Sequence, residues 1–312
     1  MDRVLIVDPI APSGEQLLAA QSEVLRAPDS AADTIRRLAA ESDGIVTRSK
    51  LPDDIFDAAP RVRAVAIHGT GTDLVPLEAA TARGVMVSNI PGGNAQSVAE
   101  YCALAMLMLA RNIVSIITSL KQGSWDAART LGAGTHEIAG MTLGIVGVGA
   151  IGSRLARIAH HGFGMRVLGN QRRLDRLPPE AQPRALEALV KESDFVVLTC
   201  PLTRETHHLF NRDRINAMRR TAWLINVGRG PVIEETALVS ALREKRIAGA
   251  MLDVYEHYRL EPGHPLFSLD NVVLTPHLSG MTTESRARMS IAAAEDLLRM
   301  LAGETPGNLV NA

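Results

Sequence analysis

Short apolar runs alternate along the chain with longer amphipathic segments. A first series of runs comprises Val4–Val7, Gly44–Thr47, Val62–Ile67 and Val85–Ser88. A second comprises Leu143–Val146, Arg166–Leu168, Phe195–Thr199, Trp223–Asn226, Ala250–Leu252 and Val272–Leu274. Runs of this length read as buried strands, and stretches such as Ile151–His161, Arg184–Lys191, Asn211–Met218 and Glu234–Lys245 read as the helices that join them. Strand and helix in repeated alternation predict an α/β protein built on parallel sheets. Between the two series, Val98–Leu120 is apolar around most of a helical circumference, which predicts a helix that is buried or packed on another subunit. Gly123 to Gly140 reads as a glycine-punctuated connector.

Composition narrows the class. A length of 312 residues predicts two domains, and 46% hydrophobic with 21% charged residues is a globular balance. Lys and Arg number 33 against 34 Asp and Glu, a net charge of −1 that rules out a broad basic field. Nucleic acid and an anionic membrane are therefore not expected partners. The stretch Tyr101–Ala110 is half of the roughly 20 residues that span a bilayer. The apolar run after Met1-Asp2-Arg3 is too short for a signal-peptide core. Cys102 and Cys200 sit in apolar runs and read as buried free thiols, which suits a reducing cytoplasm, and no Cys/His spacing suggests a metal.

The first chemical signal is Gly147-x-Gly149-x-x-Gly152, which follows an apolar strand and opens an amphipathic helix at Ala150-Ile151. In that context Gly147 permits a tight turn, Gly149 lets backbone approach a pyrophosphate, and Gly152 lets helix and strand pack closely. The helix start offers N–H groups and positive potential to phosphate. The six strands of the second series match the count of a dinucleotide-binding sheet. Where an acidic residue would hold a ribose 2′-hydroxyl, the chain reads Asn170-Gln171-Arg172-Arg173. Gln171 does not repel a 2′-phosphate, and Arg172 or Arg173 can pair with one, so NADP(H) is favoured over NAD(H).

With these motifs the sequence resembles the D-isomer-specific 2-hydroxyacid dehydrogenases, and within them the glyoxylate/hydroxypyruvate reductases. The resemblance rests on the glycine motif, on Pro201-Leu202-Thr203 with Thr206, on Asn226-Val227-Gly228-Arg229-Gly230, on Leu252-Asp253-Val254-Tyr255 and on Thr275-Pro276-His277. Gly69-Thr70-Gly71-Thr72-Asp73 and Val98-Ala99-Glu100 extend it into the first part of the chain. It implies two Rossmann-like domains with a cleft between them: a flavodoxin-like substrate domain, residues 1–97 plus 286–312, and a six-stranded dinucleotide domain, residues 98–285. It also implies a homodimer formed through the Val98–Leu120 helix. The reaction implied is reduction of a small 2-oxo acid to the D-2-hydroxy acid. The family's rival possibilities are a non-catalytic dinucleotide-sensing regulator, or a relative acting on formate or phosphonate.

The residues make chemical sense beside the resemblance. Arg229 follows one strand and His277 another, at the carboxyl ends where ligands bind in such sheets. A guanidinium fork suits a carboxylate plus a carbonyl oxygen, and an imidazole titrates near neutrality as a general acid and base. The resemblance assigns Asp253 to the nicotinamide carboxamide, though a buried carboxylate ending a strand needs either such a partner or a structural one; it assigns Thr199, Pro201 and Thr206 to the adenosine side, and Val227 and Gly280 to the region near the nicotinamide. It assigns His68-Gly69-Thr70-Gly71 to the substrate carboxylate, as an anion-binding nest, and brings Asn94 near the substrate, with an ordinary helix-start role as the alternative. In one respect the chain departs from the family. Aligned without gaps, Tyr258 stands where the family has the glutamate that partners the histidine, with Glu256 and Glu261 as further candidates. A tyrosine would orient His277 but raise its pKa less than a carboxylate, which makes His277 a weaker base.

Overall fold

The computed structural model describes residues 1–311. The chain divides into two compact units, residues 1–94 with 281–312 and residues 95–280. The expected borders at 97/98 and 285/286 fall inside the helices Ala95–Ala110 and Thr283–Leu301; the division comes just before each helix begins.

The first unit is a five-stranded parallel sheet of β1 (Arg3–Ile6), β2 (Glu23–Arg26), β3 (Gly44–Thr47), β4 (Ala64–Ile67) and β5 (Met86–Ser88), in the order β2-β1-β3-β4-β5. That is the flavodoxin-like order. β2 escaped the sequence pattern because Glu-Val-Leu-Arg is a half-exposed edge strand with a charge at each end. Helix Thr283–Leu301 covers one face, with Ala293, Ala294 and Leu297 buried among Val4, Val46 and Ala64. Helix Pro12–Ala19 crosses it closely because Gly14 has no side chain: a Cβ there would lie 2.4 Å from the Ser290 carbonyl oxygen.

The second unit is a seven-stranded parallel sheet. Its strands are β6 (Thr142–Val146), β7 (Arg166–Asn170), β8 (Ala181–Pro183), β9 (Phe195–Leu198), β10 (Trp223–Asn226), β11 (Gly249–Leu252) and β12 (Val272–Leu274). Their order is β12-β11-β10-β9-β6-β7-β8. This is the doubly wound dinucleotide-binding order with one strand more than the six expected. The missed strand is β8, a three-residue edge strand that ends in Pro183, where a lost donor costs no ladder bond. Both faces are covered. Leu198, Phe210 and Leu224 lie in one core, and Leu143, Phe195 and Ile225 in the other.

The apolar segment Val98–Leu120 is not one helix. It breaks at Arg111–Asn112, where Asn112 takes φ +45°, into Ala95–Ala110 and Ile113–Lys121, bent by 60°. The first half is largely buried, whereas no residue of the second is. The stretch expected to be a connector holds a third helix, Trp125–Ala133. Among the described residues no single helix is long and apolar enough to cross a membrane, and no group of three His, Cys, Asp or Glu side chains could hold a metal. Cys102 and Cys200 are both buried and free, and burial pushes the Cys200 thiol up to about 11.

Candidate active site

The glycine loop leaves β6 at Val146. Gly147 takes φ +93°, and its Cβ would lie 2.6 Å from Cys200 backbone, so only glycine fits. Its N–H donates to the Asn170 carbonyl at 2.8 Å, and its carbonyl accepts from the Thr199 hydroxyl at 2.6 Å. Gly152 lets helix Ala150–Arg157 settle on the loop, since a Cβ there would lie 2.9 Å from the Gly147 carbonyl oxygen. Gly149 differs from both: a Cβ would meet nothing within 4 Å, so open space lies beside this backbone. No side chain caps the helix, which leaves the first-turn N–H groups, beginning at Ala150 and Ile151, to a ligand. An open glycine beside an uncapped helix start fits a dinucleotide pyrophosphate.

At the end of β7 the Gln171 side chain donates to the Arg173 carbonyl at 2.7 Å, and Arg173 pairs with Asp175 at 3.1 Å. Arg172 is exposed and feels the Glu205 carboxylate electrostatically. No carboxylate precedes Asp175 in this loop. Two of the residues expected on the adenosine side have structural duties. Thr199 closes the glycine loop, and Thr206 closes its own turn by donating to the Pro201 carbonyl at 2.6 Å and accepting from the Thr203 N–H at 2.7 Å. Val227 is buried, and its N–H is taken by the Leu198 carbonyl at 3.2 Å.

Three loops meet at the carboxyl edge of neighbouring strands. β10, β11 and β12 lie side by side and are followed by Arg229, Asp253 and His277 respectively. The Asn226 side chain shapes the Arg229 loop, accepting from the Gly228 N–H at 3.0 Å and donating to the Arg229 carbonyl at 3.0 Å. Gly230 packs so tightly that a Cβ would lie 1.6 Å from the Tyr255 carbonyl oxygen. The Arg229 guanidinium is half-buried, one N–H donating to the Gly228 carbonyl at 3.0 Å.

His277 is half-buried and takes φ +55°, a left-handed backbone that non-glycine residues enter only when the surroundings impose it. Asp253 imposes it. Its carbonyl accepts from the His277 N–H at 2.9 Å. Its carboxylate accepts from the Thr275 hydroxyl at 2.7 Å, the Leu278 N–H at 2.8 Å and the Ser279 N–H at 2.9 Å. Asp253 is completely buried, and these donors satisfy its charge. Of the two partners open to a buried carboxylate at this strand end, the structure shows the structural one: the Asp253 side chain clamps the histidine loop. Gly280, next in the loop, is partly exposed and closes the second unit.

Tyr258 stands edge-on to His277, with ring centroids 6.2 Å apart, and is 70% exposed. Glu256 is engaged elsewhere. One carboxylate oxygen meets His208 Nε2 at 3.0 Å, and the other accepts from the Glu235 N–H at 3.3 Å. In return the Glu256 N–H donates to the Glu235 carboxylate at 3.1 Å, and that carboxylate also meets His264 Nε2 at 3.1 Å. His208 thereby braces the Arg229 loop, since its own N–H donates to the Pro231 carbonyl at 2.8 Å. Glu261 is exposed. Sequence reasoning also passed over Tyr101, whose hydroxyl bonds to Thr275, and no motif marks it.

In the first unit, the side chain of His68 is buried. It is 2% exposed, and its Nε2 lies 2.9 Å from the Ser290 hydroxyl. Burial first, then the Arg48 charge, push it down to about 4, so it is neutral. Its N–H donates to the Thr47 carbonyl at 2.8 Å, and that of Gly69 to the Ile67 carbonyl at 2.7 Å. Of the expected nest, the Thr70 and Gly71 N–H groups are the ones with no acceptor among the described residues. Asn94 is half-buried in the turn before helix Ala95–Ala110.

A doubly wound sheet with an open glycine loop, and an arginine and a histidine at the ends of strands two apart, defines a nicotinamide-dependent oxidoreductase. The family described as D-isomer specific 2-hydroxyacid dehydrogenase, NAD binding domain, matches residues 103–279. A glyoxylate reductase of Korarchaeum cryptofilum is 41% identical over 296 residues, 91% of this chain and 87% of the relative. A solved protein of Thermus thermophilus superposes with a TM-score of 0.90 at 36% identity over 99% of both chains. An NADPH-dependent glyoxylate/hydroxypyruvate reductase of Sinorhizobium meliloti, solved with NADP and malonate, gives a TM-score of 0.86 at 29% identity over 99% of this chain and 96% of that one. The chain belongs to the D-isomer-specific 2-hydroxyacid dehydrogenase family and is an NAD(P)-dependent enzyme.

Proposed function

We propose that the protein reduces a small 2-oxo acid, glyoxylate or hydroxypyruvate among the candidates, to the D-2-hydroxy acid with NADPH. The observation that carries this reading is the Asp253 clamp. A buried carboxylate is committed to holding a histidine in a left-handed loop two strands away from an arginine flanked by glycines. The bound dinucleotide supplies the hydride. Arg229 binds the substrate carboxylate and draws on the carbonyl oxygen, where a planar cation stabilises the charge that develops. His277 gives that oxygen a proton from its imidazole and takes one back in the reverse direction. In the first unit, the Thr70 and Gly71 N–H groups suit a carboxylate. The preference for NADPH is supported by the β7 loop, which offers Arg172 to a 2′-phosphate and has no carboxylate before Asp175. Initial rates with NADPH and NADH against a panel of 2-oxo acids test the reading. Binding without turnover of any 2-oxo acid would shift it to a non-catalytic dinucleotide sensor.

We also infer a homodimer. Leu104 and Leu107 on helix Ala95–Ala110, Val114, Ile117 and Leu120 on Ile113–Lys121, and Trp125 on Trp125–Ala133 are large apolar residues exposed on consecutive helices. Such a surface marks an interface. Light scattering of the wild type and of Ile117→Glu tests it: a dimer that the charge dissociates supports the inference, and a wild-type monomer overturns it.

A further inference from the structure

One hydroxyl in the second unit has a partner that the proposed mechanism does not use. Tyr101 lies on helix Ala95–Ala110, half-buried against the core that holds Cys102 and Met251, and its hydroxyl bonds to that of Thr275. Thr275 Oγ1 also lies 2.7 Å from Asp253 Oδ1. The direction of this chain follows from chemistry. An ionised carboxylate only accepts, so the single Thr275 hydroxyl proton goes to Asp253. The oxygen of Thr275 must then accept, and Tyr101 donates. The Thr275 backbone is pinned as well, since the Tyr255 hydroxyl donates to its carbonyl at 2.8 Å. Beyond Asp253 the chain reaches the amides of Leu278 and Ser279 and, through the Asp253 carbonyl, the N–H of His277.

We propose that Tyr101 is a positioning residue for His277, acting through Thr275 and Asp253, because one line of hydrogen bonds runs from its hydroxyl to the loop that carries the histidine. It rests on the proposed role of His277. Burial and the Asp253 charge keep the Tyr101 phenol protonated far above neutral pH, so the donor is present throughout the working range. Thr275 without this donor keeps its bond to Asp253 but can rotate with it. The Asp253 carboxylate then loses its fixed orientation towards Leu278 and Ser279, and a loop held at φ +55° relaxes. A histidine displaced by a fraction of an ångström still binds substrate but delivers its proton poorly.

The test uses the full-length enzyme and the variants Tyr101→Phe, Thr275→Val, Thr275→Ser and the double variant Tyr101→Phe/Thr275→Val. Two readouts are followed: steady-state reduction of glyoxylate, and hydrogen exchange of the peptide spanning residues 276–282. Tyr101→Phe is expected to lower kcat about tenfold with KM for NADPH within about twofold, and to speed exchange at the Leu278 and Ser279 amides. Thr275→Ser, which keeps the relay oxygen, should stay near wild type. The double variant should be no worse than Thr275→Val, since both changes cut one chain. Tyr101→Phe with wild-type kcat and unchanged exchange overturns the proposal, as do losses that multiply in the double variant. Loss of melting temperature in step with loss of kcat also overturns it, because the role is then structural alone. The exchange arm needs no substrate, so a wild-type enzyme that turns over no 2-oxo acid counts against the proposed reaction while Tyr101 is still tested.

Discussion

The buried histidine of the first unit makes stability depend on pH with a definite sign. His68 titrates at about 4 in the folded protein against 6.5 when unperturbed. Between these values the unfolded chain takes up a proton that the folded chain refuses. Stability is therefore full above pH 6.5 and falls as the pH drops, by about 1.4 kcal/mol per unit, to a total loss of about 3 kcal/mol near pH 4. The perturbation that isolates this contribution is His68→Gln, which keeps an acceptor for the Ser290 hydroxyl but cannot be protonated. At neutral pH the wild type should be the more stable, because the variant forfeits well-packed hydrogen bonds. Its advantage should shrink by about 3 kcal/mol between pH 7 and pH 4, and the difference cancels other titrating groups. Intrinsic fluorescence is the wrong assay, since both Trp and all three Tyr lie within residues 95–280. Hydrogen exchange of peptides covering β4 and helix Thr283–Leu301, corrected for intrinsic rates, reads the right unit. An advantage that stays constant or grows towards pH 4 would refute the argument that the folded protein holds a neutral, desolvated ring against Ser290.

Three further outcomes follow from the second unit. Arg229→Lys replaces a planar fork by a point charge and should lower kcat/KM for a 2-oxo acid about a hundredfold, measured at saturating cofactor. Gly230→Ala puts a Cβ 1.6 Å from the Tyr255 carbonyl oxygen, so the Arg229 loop must move; calorimetry should show a clearly lowered melting temperature, with activity lost. Tyr258→Glu sets a carboxylate beside the His277 ring and should raise the apparent pKa in the pH–rate profile of reduction by about one unit over the wild type.

What the sequence made legible was the interior. Strands such as Thr142–Val146 and Phe195–Leu198 are buried on both faces and stood out, whereas β2 and β8 are edges whose residues face water and carry charges or proline. Gly147 and Gly152 could be read from spacing because their constraint is local. The duties of Asp253, His68 and Glu256 could not, because each depends on partners far along the chain: Leu278, Ser290 and His208. Tyr101 left no signal at all, since a tyrosine in an apolar helix looks like core until the Thr275 hydroxyl is seen beside it. The single helix read over Val98–Leu120 failed for a local reason, a left-handed Asn112 that hydrophobic periodicity does not register.

The central claim is that this chain carries out NADPH-linked reduction of a 2-oxo acid through Arg229 and His277. The most direct measurement is the initial rate of reduced-nicotinamide oxidation with glyoxylate, hydroxypyruvate and phenylpyruvate, comparing NADPH with NADH in the wild type, Arg172→Ala and His277→Gln. The account predicts turnover favouring NADPH, a preference that Arg172→Ala narrows, and a rate lost by at least about a hundredfold in His277→Gln. Turnover that His277→Gln leaves unchanged, or no turnover by a wild-type protein that binds the dinucleotide, would contradict it.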